Sequence, residues 1–469
     1  MLMSVRGPDV ESIDLLNLIK EHTFKCIGCT DPLAIALAAA SAYAMVGGKP
    51  LKVDILVDRN VYKDALSVGI PGGFGCGPEL AAAAGVVVAK PERGLLQLSE
   101  HEPEKVAAAE SLVRQGMVRC SVDQSVLGIY IKAVVSTDLG EGTAIIQGSH
   151  DNIVSLRRNG EDALDTIHKT RVKVSSALNL LDRVGTIEEV VSILSSISHA
   201  DLDFLLEAVD INMAAAAVGI HDGAGLAVGK TLMERANHQE GYRGECISRL
   251  NALADIMPLA CAMTAGAADA RMAGLSVPIV GCFGSGNHGI MLFITLGLLA
   301  RRLSAPPQAL AQALAVGSIF IALIKRRTGI LTPHCGCALA AGVGVAGGAA
   351  YLLWGDTVQS ELAKLMDMAA SLVIADIFGV VCDGAKPSCA LKISTATTTA
   401  LQCTYLAKRL SERNDDWHRS DLAGIGGGGF WEALIAIERI TSEGFCHVDH
   451  AMLRLLQDRQ RRNQTSNGG

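Results

Sequence analysis

GIMLFITLGLLARR, residues 289–302, and ALAVGSIFIALIKRR, residues 313–327, decide the fold class of this chain. Both are apolar and read as helices. A membrane span needs about 20 predominantly apolar residues, and these runs fall short. A third stretch, AMTAGAADARMAGLSVPIVG at 262–281, is interrupted by Asp, Arg and Pro. The reading is therefore buried helices of a soluble protein, with a transporter built on Ala/Gly helices as the alternative. The expected fold class is α+β, a mixed α/β N-terminal domain followed by a mostly all-α catalytic domain.

The bulk properties agree. The chain has 469 residues, 49% of them apolar but only 4% aromatic. Ala, Gly, Leu and Val carry the apolar content, and small residues let helices approach closely. The formal net charge is −7 and no basic block occurs. That pattern points to a small-molecule partner and away from nucleic acid. The first twenty residues lack the charged and apolar regions of a signal peptide, so a cytoplasmic location is expected, where thiols stay reduced. The 13 cysteines then argue for buried thiols together with metal-binding or catalytic ones, not a disulfide framework.

Along the chain, a helix is expected from Asp9 to His22. CTDPLAIALAAASAYAMVGG reads as a second helix, capped by Thr30 or Asp31 and ended by Gly47 and Gly48. Leu51 to Val57 alternates like a strand. A Gly/Pro loop follows, then an Ala-rich helix from Leu80. Residues 117–156 are β-rich, and apolar helices dominate from Leu178. The domains are set at 1–190 (mixed α/β), 191–455 (helical) and 456–469 (a polar, disordered tail).

Cysteines carry the chemistry. Cys335 and Cys337 flank Gly336, Cys382 and Cys389 flank DGAKPS, and KCIGCTDP holds two more near the start. Buried free cysteine is often a small hydrophobe, and that suffices for Cys120, Cys246, Cys261, Cys403 and Cys446. It suffices less well for four cysteines around Pro and Gly turns that precede helices. Zinc sites favour paired CxxC motifs, which CGC and CDGAKPSC do not supply. An iron–sulfur cluster tolerates scattered thiolates, and one held by three cysteines keeps an iron open as a Lewis acid. GSGNHG at 284–289 leads into a helix and suits a substrate carboxylate. Asn287 and His288 stand there as hydrogen-bonding partners. Asp269 and Arg271 read as structural charges that need partners. Lys386, beside two thiols, would stabilise thiolate and carboxylate. Asn60 and the His150-Asp151-Asn152 run are further polar candidates.

Taken in order, GCTDP, NVYKDALSVGIPGG, HDNIV, DARMAGLSVPIVGCFGSGNHGI, CGCALAAG and CDGAKPSCALKIST resemble the L-cysteine desulfidase family, which is related to the iron–sulfur L-serine dehydratase alpha chain. The resemblance spans residues 28–396. It implies a [4Fe–4S] lyase that works without pyridoxal phosphate and converts L-cysteine to pyruvate, ammonia and hydrogen sulfide. It implies Cys382 and Cys389 as cluster ligands, with Cys335 or Cys337 as the third. It implies Cys29 as the base or a fourth cluster contact, and Lys386 as its catalytic companion. Ser285, Gly286, Asn287, His288, Asn60 and Asn152 are the expected substrate-binding residues. The base would be a thiolate favoured by its place at a helix start. Two departures stand out: Asp31 where many relatives carry Glu, and extra glycines with Cys76 in GIPGGFGCGPE. They bear on substrate choice. The alternatives are an L-serine dehydratase using the same cluster and a non-catalytic iron–sulfur redox protein. The expected partners are an amino-acid substrate and further copies of the chain, a dimer or larger, with neither nucleic acid nor membrane.

Overall fold

The computed structural model describes residues 10–126, 128–163, 175–238, 249–412 and 423–466. The chain begins with α1 (Ser12–His22), β1 (Thr23–Ile27), α2 (Thr30–Ala44), β2 (Pro50–Asp58) and α3 (Arg59–Ala65). A small hairpin, β3 (Gly69–Ile70) and β4 (Gly75–Cys76), precedes α4 (Pro78–Val88) and α5 (Pro103–Arg114). Then come β5 (Val118–Asp123), β6 (Tyr130–Thr137), β7 (Gly140–Gln147), β8 (Ile153–Arg158) and β9 (Glu161–Asp162). The helical part comprises α6 (Ile187–Ser195), α7 (His199–Leu202), α8 (Phe204–Asp222), α9 (Val228–His238) and α10 (Arg249–Met272). After β10 (Pro278–Cys282) it continues as α11 (Gly286–Leu303), α12 (Pro307–Thr328), α13 (Gly336–Trp354), α14 (Gln359–Ile377), α15 (Cys389–Ser411), α16 (Phe430–Ile440) and α17 (Cys446–Ser466). The α+β class expected from the sequence is the one observed.

The sheet has the order β5-β2-β6-β7-β8-β9. Only β2 and β5 run parallel; the other neighbours are antiparallel. β6 alternates strictly between buried and half-buried residues, the signature of a sheet covered on one face. α2 supplies the cover, packing on β6 and β7 with α4 beside it. Alanine makes this possible: thirteen of the fifteen α2 residues are buried, and short side chains bring the helix close to the strands.

The same principle builds the helical part. A Cβ added to Gly317 of α12 would lie 2.7 Å from the Gly344 carbonyl oxygen of α13, so these helices meet backbone to backbone. Among the described residues, four helices are long and apolar enough to cross a membrane, by length and composition alone. In two of them, Pro307–Thr328 and Gly336–Trp354, 78% of the apolar window is buried against the protein itself. One apolar core runs through sheet and helices.

Two features depart from the sequence-based outline. β1 pairs antiparallel with β10, Thr23 opposite Cys282, and α1 packs on α6 and α12, so the beginning of the chain is built into the helical part. α17 runs on to Ser466, through most of the stretch expected as a tail. Two partners on α3 draw this helix in: Tyr62 Oη donates to Gln460 at 3.0 Å, and Lys63 Nζ donates to Asp449 at 2.9 Å.

Candidate functional site

Two cysteine-bearing turns are stitched together by backbone. The Cys335 N–H donates to the Val380 carbonyl at 2.6 Å and the Cys382 N–H to the Pro333 carbonyl at 2.8 Å, with a bridge between His334 and Val381. PHCGC and VVCDG thus form one unit although Cys335 and Cys382 stand 47 positions apart in the chain. Cys335 is the N-cap of α13, and Cys337 lies in its first turn. Cys389 opens α15. All four face a cavity of about 80 Å³, which Cys29, Asp31, Asp64, Arg271, Ser285, Asn287, His288, Lys325, His334 and Lys392 also line.

Four helices start at this cavity. Cys29 caps α2, Ser285 caps α11 through its hydroxyl to the Asn287 N–H at 3.2 Å, Cys335 caps α13, and Ser388 precedes α15. Each helix start carries partial positive charge and free N–H groups. Convergence of four favours thiolates and a carboxylate. The turn into α11 is tight: Phe283 holds φ at 43° and Gly284 at 87°.

Burial shapes the titrating groups. Cys335 is pushed up by the hydrogen bond it shares with Cys337 and by burial, while Cys337 is pulled down to about 6 by accepting that bond, with Ser285 and Arg271 helping. Burial lifts Cys382 to about 12 and raises Cys389, against which the Lys386 charge acts. Asp64 rises to about 7 through burial and the neighbouring Asp31. Lys325 falls to about 8 through burial, and His288 and His334 fall to about 3 for the same reason, so both imidazoles are neutral near pH 7. Cys29 corrects an expectation. Burial pushes its thiol well up, and the pull of Arg271 does not offset this. It rests as a thiol, because desolvation of a fully enclosed sulfur outweighs a helix start.

The cavity contains buried polar atoms with no partner in the protein: both ring nitrogens of His334, Asn287 Oδ1 and Arg271 Nε. Such groups are costly unless a ligand satisfies them. No three His, Cys, Asp or Glu side chains among the described residues meet at single-ion distance. Four sulfurs around a cavity, with cationic and helix-start surroundings, match in donor chemistry a thiolate-held iron–sulfur cluster.

The sequence candidates divide into two groups. Cys29, Ser285, Asn287, His288, Cys335, Cys337, Cys382 and Cys389 line the cavity together. Gly286 lies just behind, and a Cβ there would collide with the Arg271 guanidinium. Lys386 is not among the lining residues; it pairs with Asp383 at 2.5 Å and donates to the Gly384 carbonyl at 3.0 Å. Asn60 accepts from buried Lys63 at 2.9 Å, and Asn152 donates to the Gln147 carbonyl at 2.9 Å, both away from the cavity wall.

Sequence reasoning assigned Arg271 a structural role and passed over Asp64, Lys325 and His334. Asp269 does hold backbone, accepting from the Gly229 N–H at 2.9 Å. Arg271, two residues on, turns the other way into the cavity, 3% exposed. Its signal was an arginine inside an Ala/Gly run. Lys325 had only its place at the end of an apolar helix. It donates to the Ile330 carbonyl at 2.9 Å, with its ammonium against Gly336.

Comparison with known proteins places this arrangement. Residues 152–452 match the serine dehydratase alpha chain family. The chain belongs to that family. Full-length relatives carry the name UPF0597 protein. The one from Clostridioides difficile is 31% identical over 446 residues, covering 94% of this chain and 99% of its own. That from Alkaliphilus oremlandii is 30% identical over 447 residues, covering 94% and 97%. That from Desulfatibacillum aliphaticivorans is 32% identical over 446 residues, covering 92% and 95%. For this serine dehydratase-like chain, a lyase site is the coarse reading that follows. All twelve described cysteines are free, as a site that uses thiols requires.

Proposed function

We propose that this chain is a PLP-independent iron–sulfur lyase that takes L-cysteine to pyruvate, ammonia and hydrogen sulfide. The observation that carries the reading is the meeting of Cys335, Cys337, Cys382 and Cys389 with Cys29 and Arg271 around one cavity. Cys335, Cys382 and Cys389 would hold a [4Fe–4S] cluster. Cys335 is favoured over Cys337 because its backbone is tied to the Cys382 turn, whereas Cys337 sits 3.7 Å from the Ser285 hydroxyl.

When bound, the cluster supplies a Lewis acid for the leaving group on Cβ. The chain's own residues do the rest. Arg271, with the N–H groups at the start of α11, binds the carboxylate. Asn287 Oδ1 and Asp64 accept from the substrate ammonium. Cys29, once its thiol proton has left, takes the Cα proton. Elimination gives aminoacrylate, which hydrolyses to pyruvate and ammonia without further help.

L-Serine is the second reading, favoured by the serine dehydratase alpha chain match. The fold leaves both leaving groups open, because the same carboxylate and ammonium contacts serve either. A cytoplasmic protein that assembles as a dimer or larger, with no membrane or nucleic-acid partner, completes the proposal. The test is anaerobic purification with iron and sulfide analysis, then sulfide and pyruvate release from L-cysteine and L-serine. About four irons per chain with sulfide release supports the desulfidase. Pyruvate from L-serine alone supports the dehydratase. A cluster-loaded protein inert toward both sinks the lyase reading, and an iron-free protein sinks the cluster.

A further inference from the structure

We propose that Lys63, held by Asp449 of α17, is the positioning residue that sets Asp64 in the cavity. The last helix then belongs to the substrate site, although none of its described residues lines the wall. This deepens the lyase reading above and rests on it, in particular on Asp64 as an acceptor for the substrate ammonium.

Lys63 is 2% exposed, and an enclosed ammonium needs partners. It has two: Nζ donates to Asn60 Oδ1 and to Asp449 Oδ1, each at 2.9 Å. Asn60, a sequence candidate that lies off the cavity wall, thereby acquires a role. Asp449 stands in the first turn of α17. α17 holds α3 at two further points. Asp449 pairs with Arg59 at 2.7 Å, and Gln460 accepts from Tyr62 Oη at 3.0 Å.

The other side of α3 meets the cysteine turn. A Cβ added to Gly384 would lie 2.6 Å from the Lys63 carbonyl oxygen, so helix and turn touch backbone to backbone. Asp64, next in the chain, lines the cavity and accepts from Cys382 Sγ at 3.9 Å. α3 is thus held between α17 and the turn that carries Cys382. It has seven residues, and so short a helix has little stability of its own. Asp58 caps its first turn. The Lys63 bonds fix its last turn, which carries Asp64. Without them that turn can shift, and a substrate contact displaced by an ångström is costly. The competing explanation is a buried ion pair that stabilises the fold and does nothing for the site.

The experiment uses the full chain, loaded anaerobically, as wild type, Lys63→Met, Asp64→Asn and the double variant. Methionine keeps most of the stem and leaves Asp449 paired with Arg59; iron content and the thermal midpoint establish that each variant is loaded and folded. Sulfide and pyruvate release give KM for the amino acid that is turned over. They also give Ki for cysteamine, which has the ammonium without the carboxylate, and for 3-mercaptopropionate, which has the carboxylate without the ammonium. Hydrogen exchange reads residues 62–66 and 383–389 without turnover. In Lys63→Met, KM and the cysteamine Ki should rise about tenfold, within the range for coupled neighbours. The 3-mercaptopropionate Ki should stay within twofold, and both segments should exchange faster. The double variant should bind cysteamine as Asp64→Asn does, because both changes act through one carboxylate. Four results overturn the inference while leaving the lyase reading intact. They are a cysteamine Ki within twofold of wild type in Lys63→Met, a rise shared equally by both inhibitors, losses that multiply in the double variant, and wild-type exchange at 62–66. A cysteamine Ki unchanged in Asp64→Asn overturns the ammonium contact and this inference with it. A loaded wild type inert toward every 2-amino acid overturns the lyase reading as well.

Discussion

Arg271→Lys separates substrate recognition from cluster assembly. Arg271 is 3% exposed, its Nε has no partner in the protein, and its guanidinium lies against Gly286 at the start of α11. Lysine keeps the charge that Asp31 and Cys337 feel, but it loses the planar fork that grips a carboxylate with two bonds. One hydrogen bond to a charged group contributes about 1.5–3 kcal/mol. At about 1.4 kcal/mol per factor of ten, KM for L-cysteine should rise about 10- to 150-fold. Iron content should stay at the wild-type level. The assay is anaerobic steady-state sulfide release, with two competitive inhibitors read alongside. 3-Mercaptopropionate keeps the carboxylate, and its Ki should rise with KM. Cysteamine lacks the carboxylate, and its Ki should stay within twofold. A KM within threefold of wild type, or a cysteamine Ki that rises as steeply as that of 3-mercaptopropionate, refutes Arg271 as the carboxylate ligand.

Cys335→Ala should purify with little iron, whereas Cys337→Ala should keep the cluster absorbance and lose turnover; reversal of the two, read by iron analysis, would exchange their roles. Asp449 is 2% exposed and compensates Lys63 and Arg59 at 2.9 and 2.7 Å. Asp449→Ala leaves both cations buried and should cost about 3–5 kcal/mol, seen as a lowered urea midpoint and faster hydrogen exchange in α17; an unchanged midpoint counts against Asp449 as the anchor of α17 on α3. Asp58 caps α3, and burial raises it from 3.8 to about 6 despite three backbone N–H bonds. The folded protein therefore binds this proton more tightly than the unfolded chain. The stability it contributes is fully present below pH 3.8 and is lost as pH rises through about 6. At about 1.4 kcal/mol per unit the change is about 3 kcal/mol. Asp58→Asn should flatten that part of the urea-midpoint profile between pH 4 and 7, and a wild-type slope retained in the variant would assign it to other groups.

Local periodicity made most elements legible. The alternation in β2 and in β6 to β8, and the apolar faces of α1 and α2, appear in the sequence within about three residues of where they stand. These patterns depend on neighbours along the chain, and so does the clustering of Pro, Gly and Cys at helix starts. That is why Cys29, Ser285, Asn287, His288 and the four later cysteines could be singled out. Lys386 was misjudged because it sits between two cysteines in the chain yet is claimed by Asp383 in space. The tail was misjudged because polar composition hides the anchors on α3.

By itself, then, the sequence determined the α+β class, the coarse division into a mixed and a helical part, and the set of thiols. Only the tertiary structure decided that the Cys335 and Cys382 turns are tied by one bridge between His334 and Val381, that four helix starts face one cavity, and that Arg271 and Lys325 turn into it while Asp269 and Lys386 do not. It also decided that Cys29 rests as a thiol. The physical reason is that cavity contacts and desolvation depend on which atoms surround a group from distant parts of the chain, and no local pattern carries that information.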